Sequence, residues 1–432
     1  MKIAAVRGFR DVLPAESAVW QVLETQARRS FATYGFAEII LPVVEKAELF
    51  THAIGETTDI VEKEMYTFVD RDGSSLTLRP EGTASVIRAY IEHSLSHQEP
   101  VSKLFYIGPM FRRERPQKGR YRQFHQIGAE ILGRDDPLID AELLLMLNDF
   151  FAALQLEVVI DVNSLGCEVC RPRYRESLRV FAESRLAQLC ENCHARLHRN
   201  PLRLLDCKEA GCRQALIDAP VLTDFLCGPC RDHFARVQAY LRQENVAFSL
   251  NPRLVRGLDY YRRTSFEVIA QGLGSQNAIC GGGRYDGLVE QLGGPAVPGI
   301  GFALGVERLV MLLQAQERHF FATPDLFIAP LGATAESRAF SIARRLRQAG
   351  YRIELESGSR GLKAQLRRAD KLNTRYVLIL GENELAAGKG TVRDMQAKID
   401  QPMTVDLTLP AQAMLELIRN VSIQLSAERP ED

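Results

Sequence analysis

The chain has 432 residues, 46% hydrophobic and 25% charged, which suits two or three packed domains and excludes wholesale disorder. Its 54 Lys+Arg balance 54 Asp+Glu, which argues against a general nucleic-acid coat but not against a local basic surface acting over roughly 8–10 Å. No apolar run approaches the ~18 residues of a membrane span, and MKIAAVRGFRDVLPAES lacks a signal peptide's apolar core, so a cytoplasmic protein away from membranes is expected.

AESAVWQVLETQARRSFATYGF places Val19, Leu23, Ala27 and Phe31 at helical spacing and puts Gly35 where the helix stops. FAEIILPVVE reads as a strand broken by Pro42. SSLTLRPEGTASVIRAYIE reads as a strand, a turn at Pro80–Gly82 and a helix from about Thr83. KLFYIGPMFRRE and RYRQFHQIGAEILG are two strands joined by a long basic hairpin loop. LIDAELLLMLNDFFAALQ is an apolar helix, and EVVIDVNSLG is a strand that runs into a cysteine-rich segment. Near residue 246 a β-like pattern resumes in VAFSLNPRLVRGLDYYRRTSFEVIA, continues through AICGGGRYDGLVEQLG and ends at GIGFALGVERLVMLLQ, a Gly-rich turn into a helix. AQERHFFATPD is a linker. DLFIAPLG, AESRAFSIARRLRQAG, YRIELE, GLKAQLRRADKLN and RYVLILG then alternate strand and helix, the mark of a separate α/β domain.

RRERPQKGRYRQFHQ, residues 112–126, gathers five arginines and a lysine around one glutamate. Arginine grips phosphate or carboxylate in a planar two-point contact, and Phe124 on the returning strand offers a base a surface to stack on. Strand alternation puts Phe124, Gln126, Gly128 and Glu130 in one phase. A nucleotide site joined to a small polar-substrate site is expected, the alternative being a solvated charged hairpin. In LVRGLDYYRRT, Arg256 interrupts an apolar strand-like run, either as a functional group or as an exposed arginine on an edge strand, with Asp259 within pairing range. GIGFALGVERLVMLL presents small residues at 299, 301, 303 and 305, which admit either a ligand or tight strand packing. CGGGRYDG and AAGKGT fit neither a dinucleotide fingerprint nor a P-loop.

These stretches resemble the class II aminoacyl-tRNA synthetases. The helix and strand ending at Pro42 are similar to motif 1, FRRERPQKGRYRQFHQIGAE to motif 2, and GIGFALGVERLVMLL to motif 3 with its terminal arginine. LVRGLDYY and GGGRYDGL resemble the signatures of the histidyl-tRNA synthetase family, and the similarity runs from RGFRDVLP into the C-terminal α/β domain.

The resemblance implies an α+β catalytic domain, an antiparallel sheet flanked by helices, with a mainly helical Cys-rich insert and a C-terminal α/β anticodon-binding domain. Residues 1–165 and 246–318 would form the core, 166–245 the insert and 325–425 the anticodon domain. It implies a homodimer that takes ATP with magnesium, L-histidine and tRNA(His). By motif, Arg112 and Arg256 would be catalytic. Arg112, Glu114, Arg120, Phe124 and Arg308 would bind ATP. Glu81, Gly82, Thr83, Arg112, Gln126, Glu130, Arg256, Tyr260, Tyr261 and Tyr285 would bind histidine, with Glu130 and Tyr261 on the two imidazole nitrogens. Arg115, Gln117 and Arg122 would face the tRNA acceptor end. The C-terminal domain, 325–420, carries 15 Lys+Arg against 11 Asp+Glu, which suits an anticodon binder.

Eight of the nine cysteines fall between residues 167 and 230. Cys167/Cys170, Cys190/Cys193 and Cys227/Cys230 are C-x2-C pairs, and Cys207/Cys212 form a fourth pair. That spacing belongs to tetrahedral zinc sites, here either two sites or one with spare thiols, although the family's chemistry does not require this metal. The alternative is an insert of free thiols that folds by packing. CENCH also matches a haem-attachment string, which a protein kept in the cytoplasm would not use. A competing functional reading is the catalytically inert regulatory paralogue of ATP phosphoribosyltransferase, which should lose Arg112, Arg256 and Arg308 and lack the C-terminal domain. A class II synthetase for another amino acid is disfavoured by LVRGLDYY.

Overall fold

The computed structural model describes residues 3–55, 58–117, 119–256, 258, 260–271, 278–316, 320, 323–357, 359–396, 403–410 and 412–416. The chain divides into two compact units, residues 1–320 and 321–432.

The first unit opens with α1 (Pro14–Thr33), which buries Val19, Leu23, Ala27 and Phe31 on one face and stops ahead of Gly35, as its periodicity requires. β1 (Ala37–Glu38) is only two residues long. Pro42 separates it from β2 (Val44–Lys46), α2 (Ala47–Ile54) follows, and β3 (Tyr66–Val69) and β4 (Ser75–Leu78) complete a three-stranded ribbon with β2. The RPEGT turn then leads into α3 (Thr83–Glu92). β5 (Ser102–Phe111) and β6 (Gln123–Leu132) pair antiparallel from Phe111↔Gln123 to Ser102↔Leu132, so the basic stretch is the loop of a hairpin. α4 (Pro137–Ala153) is apolar almost all round and correspondingly buried. β7 (Val158–Ser164) precedes the insert, α5 (Arg171–Glu183), α6 (Glu191–Arg199), α7 (Ala210–Ala215) and α8 (Gly228–Gln243) with short 3-10 turns between them. β8 (Phe248–Leu250), β9 (Arg262–Ala270), β10 (Ala278–Arg284), α9 (Leu288–Gln291), β11 (Gly299–Gly305) and α10 (Val306–Gln314) complete the unit.

Eight strands form one sheet in the order β1-β5-β6-β11-β10-β9-β7-β8, antiparallel within and parallel only at its two edge pairs, β1/β5 and β7/β8. Along β6, Ile127, Ala129 and Ile131 point into the core shared with α1 and α4. The alternate residues, Gln126, Gly128 and Glu130, face the other way. The sheet is thus the wall between a dry core and a polar site.

The described residues of LVRGLDYY do not form the expected strand. The ladder stops at Leu250, Asn251 accepts from the N–H of Arg253 (3.2 Å), and Pro252 withholds a donor, so the described residues between β8 and β9 form a half-buried loop that buries Leu254. Gly257 and Asp259 lie outside the described residues.

An ionic knot joins this loop's surroundings to the helices. Asp140 of α4 is fully buried and accepts from Arg284 Nε (2.7 Å) and Thr264 Oγ1 (2.5 Å), with His233 Nε2 of α8 at 2.8 Å. Arg284 is equally buried and spends its other nitrogens on Asp286 (2.8 Å) and the Arg134 carbonyl (3.0 Å).

In the second unit β12 (Leu326–Pro330), α11 (Ala333–Gln348), β13 (Ile353–Leu355), α12 (Leu362–Lys371) and β14 (Tyr376–Leu380) follow the expected alternation. α13 (Glu382–Ala386), β15 (Lys389–Asp394) and β16 (Met403–Asp406) add an antiparallel margin, giving the order β13-β12-β14-β15-β16. Sequence reading missed that margin because KGTVRD is short and half polar.

Removing one partner of a buried pair strands the other charge. Asp140→Ala should therefore destabilise the first unit by about 3–5 kcal/mol, read as a lowered unfolding midpoint. A midpoint unchanged by the substitution would show that Arg284 finds its compensation elsewhere.

Candidate active site

A cavity of about 300 Å³ opens on the polar face of the sheet, walled by Arg112, Glu114, Arg120, Phe124, Gln126, Arg256, Glu267, Gly281, Glu307 and Arg308. Arg112 leaves the end of β5, fastens Nε to the Pro80 carbonyl (2.8 Å) and lays its guanidinium 5.3 Å from the Phe124 ring centre. Glu114 accepts from Arg120 (3.2 Å). Arg308, near the start of α10, donates to the Ala278 carbonyl. Burial, and then the like charge of Arg120, push the Arg308 pKa below its ordinary value. Two guanidiniums that repel each other across a cavity are a receptor for an anion.

Arg256 sits half-buried in this loop, not exposed on an edge strand. It donates to Glu267 and lies 5.7 Å from the Tyr261 ring centre. A Cβ on Gly281 would stand 2.3 Å from its guanidinium nitrogens, so CGGGR supplies the gap that admits this side chain. Arg256 Nε and Gln126 Oε1 are buried polar atoms without a hydrogen-bond partner among the described residues. Both belong to residues that wall the cavity, where a ligand can satisfy them.

Further along β6 lies a carboxylate pocket. Glu130 is wholly buried, with Oε1 accepting from Thr83 Oγ1 (2.7 Å) and Oε2 from the Tyr285 hydroxyl. A Cβ on Gly301, its partner across the ladder to β11, would come within 1.7 Å of Oε2, so GIGFALG has room for this carboxylate only as glycine. Burial pushes the Glu130 pKa up to about 8, the two hydroxyls pulling the other way and Glu81 adding to the rise. Glu81 accepts from the N–H groups of Thr83 (2.8 Å) and Ala84 (2.9 Å) at the first turn of α3, whose N-cap is Gly82. The Tyr260 and Tyr261 rings meet tilted at 50° with centroids 4.7 Å apart, and Tyr260 meets Tyr285 edge-on at 5.8 Å. Of the residues expected at the small substrate, Arg112, Gln126 and Arg256 wall the cavity, as do all five expected at the nucleotide, and Glu81, Gly82, Thr83, Glu130, Tyr260, Tyr261 and Tyr285 lie around the second pocket. Arg115 and Gln117 are exposed at the hairpin tip. Arg122 is half-buried at the base of the hairpin, its backbone N–H donating to the Gly8 carbonyl (2.8 Å).

Sequence reading missed several supports. Glu307 accepts from the His125 N–H (2.9 Å), locking α10 to β6, and the Trp20 ring meets His125 edge-on at 4.8 Å. Arg79 holds the carbonyls of Leu41 and Pro109 (both 2.9 Å). The Tyr106 ring lies against Gly82 and Gly128. Glu307 could have been found from its place beside Arg308 in GIGFALGVER, but nothing local signals which distant carbonyls Arg79 will find.

The eight insert cysteines sort into two groups, Cys167/Cys170/Cys227/Cys230 and Cys190/Cys193/Cys207/Cys212, each with its sulfurs within 4.8 Å of one another. Cys167 Sγ is 3.7 Å from Cys170 and 3.8 Å from Cys227, and Cys190 is 3.9 Å from Cys207. Four sulfurs at ~2.3 Å from a tetrahedral zinc stand about 3.8 Å apart, whereas a disulfide needs ~2.05 Å. Backbone N–H groups of Cys227 and Cys190 also point at Cys170 Sγ (3.2 Å) and Cys212 Sγ (3.1 Å), as they do in metal knuckles.

Comparison with known proteins agrees with this geometry. A histidyl-tRNA synthetase profile matches residues 8–309 and an anticodon-binding domain profile residues 325–419. The chain is 54% identical to the histidine–tRNA ligase of Syntrophotalea carbinolica over 97% of its own length and 100% of the relative's. It is 56% identical to that of Trichlorobacter lovleyi over 96% and 99%. The crystal structure of apo Staphylococcus aureus histidyl-tRNA synthetase superposes with a TM-score of 0.79 at 34% identity, covering 96% of this chain and all of that one. These relatives lend nothing to the regulatory-paralogue reading, and Arg112, Arg256 and Arg308 all stand in the cavity wall. The chain belongs to the histidyl-tRNA synthetase family.

Proposed function

We propose that the chain is a histidine–tRNA ligase. It activates histidine with ATP to histidyl-adenylate, releasing pyrophosphate, and passes the histidyl group to the 3′ end of tRNA(His), releasing AMP. The observation that carries this reading is Glu130, a buried carboxylate on the same strand face as Gln126, beside a cavity walled by Arg112, Arg120, Arg256 and Arg308. Neither displacement needs an enzyme nucleophile, so positioning and charge neutralisation supply the acceleration. Arg112 takes the α-phosphate, Arg256 lies between that phosphate and the substrate carboxylate, and Arg308 with Arg120 meets the distal phosphates. Magnesium carried with ATP would add positive charge to that of Arg308 and Arg120 at the leaving pyrophosphate. Phe124 stacks on adenine and Glu114 accepts from its amino group.

Glu81 and Thr83 receive the ammonium, and Gln126 orients the amino acid's backbone groups. Glu130 and Tyr261 take the two ring nitrogens, with Tyr260 and Tyr285 as walls. An apolar rival would leave these buried polar groups unpaired, which supports rejection on the order of 10⁴ without editing. Arg115, Gln117 and Arg122 serve the acceptor end, and the domain at 325–425 binds the anticodon. Residues 1–165 and 246–318 act as the catalytic core and 166–245 as the insert, with zinc on its two cysteine quartets. Among the described residues no helix is long and apolar enough to cross a membrane, which fits work in the cytoplasm. Ile40 (90% exposed) and Val44, apolar residues beside motif 1, fit a homodimer contact.

Two outcomes test the assignments. Arg256→Ala should slow histidine-dependent ATP–pyrophosphate exchange by about 10²–10³-fold, the cost of one lost charge-stabilising group, mostly in kcat. A loss confined to KM would assign Arg256 to ground-state binding alone. The second outcome concerns pH. The Glu130–imidazole pair shares one proton. Below ~6.5 both free partners are protonated and binding expels a proton, whereas above about 8 neither is and binding must take one up. The KM for histidine should be lowest between these limits and rise on either side, and Glu130→Gln should lose the upper limb. A KM flat from pH 7 to 9 in the parent chain would contradict the pairing.

A further inference from the structure

We infer that the metal held by Cys167, Cys170, Cys227 and Cys230 positions the histidine pocket as well as fastening the insert. This rests on the zinc reading above and adds a function to one of the two sites.

The first quartet closes the neck of the insert. Cys167 and Cys170 lie on the limb that leaves β7, and Cys227 and Cys230 on the limb that returns through α8. The outgoing limb is stitched to the pocket immediately before its ligands. The Leu165 N–H donates to the Arg263 carbonyl (2.6 Å), and the Arg263 N–H donates to the Gly166 carbonyl (2.9 Å). Immediately after the ligands, Arg171 donates Nε to the Leu165 carbonyl (3.1 Å) and Nη2 to the carbonyl of Tyr261. A guanidinium one residue from a metal ligand therefore holds the backbone of a pocket tyrosine. The returning limb reaches the same pocket from behind. Three residues after Cys230, His233 contacts Asp140, and Asp140 holds Arg284, the neighbour of Tyr285.

The second quartet differs in kind. Its ligands all fall between residues 190 and 212, around the starts of α6 and α7, and it closes a local loop in the outer half of the insert. That half meets the core where Arg253 donates to the carbonyls of Leu216 and Ile217, beside an open cleft of about 630 Å³, and where Arg199 stands 3.8 Å from Glu62. Neither Arg253 nor Glu62 is among the residues around the Glu130 carboxylate. Metal at the neck therefore governs the placement of Tyr261 through Arg171, while metal at the outer site governs the insert's own shape.

The test uses the full chain purified under reducing, chelator-free conditions, with zinc counted by mass spectrometry and KM measured by pyrophosphate exchange. Two zinc ions per chain are expected. Cys230→Ser should lose one and raise the KM for histidine by about 10-fold or more while leaving that for ATP within about twofold, and Cys230→His should restore both zinc and KM. Cys193→Ser should also lose one zinc yet leave the KM for histidine within about twofold. Arg171→Met touches no ligand sulfur, so it should keep both zinc ions and reproduce the raised KM even if Cys230→Ser fails to fold. Two zinc ions with an unmoved KM in Arg171→Met would overturn the positioning role and leave the zinc reading standing. No zinc in the parent chain would overturn both.

Discussion

Glu130 is a carboxylate buried in the middle of a sheet, and most of the site is arranged around that fact. A charge so placed costs several kcal/mol, so burial raises its pKa to about 8, and the ionised form calls for hydrogen bonds and a countercharge. Thr83 and Tyr285 supply the bonds and Gly301 supplies the space. The compensating charge is left to the substrate. A ring with two nitrogens and a titration near neutrality is suited to a pocket whose acid titrates near 8. The strand register that sets Gly301 opposite Glu130 also sets Gln126 opposite Gly305, so pocket and nucleotide cavity share one frame.

The two halves of the site carry opposite electrostatic demands. Among the described residues no cation contacts Glu130, whereas the cavity wall sets Arg112, Arg120, Arg256 and Arg308 against Glu114, Glu267 and Glu307. Histidine and ATP bring the missing charges, and Arg256 stands between them, held from below by Glu267 and given room by Gly281. A neutral chain can therefore hold a strongly basic loop, because its charge is local and its partner is the substrate.

Much of this was legible because periodicity reports burial. Val19, Leu23, Ala27 and Phe31 announced α1, and the phase shared by Phe124, Gln126 and Glu130 announced the polar face of β6. What failed to show were contacts that depend on the tertiary path. Arg256 looked like a strand residue because its neighbours are apolar, but a half-buried loop that packs Leu254 and Tyr260 inward needs apolar residues just as a strand does. Asp140 sits inside an apolar helix with no local sign that Arg284 and His233 will meet it. The C-x2-C spacings fixed neighbours in sequence but not which pairs share a site, since that depends on how the neck folds back on itself.

The central claim is that the Glu130 carboxylate selects histidine. The most direct measurement is ATP–pyrophosphate exchange with each of the twenty amino acids, by the parent chain and by Glu130→Gln. The account predicts exchange with histidine alone in the parent, and in the variant a fall in kcat/KM for histidine of at least ~10²-fold with the KM for ATP preserved. A variant that keeps histidine exchange within a few-fold of the parent, or a parent that activates another amino acid as well as histidine, would contradict it.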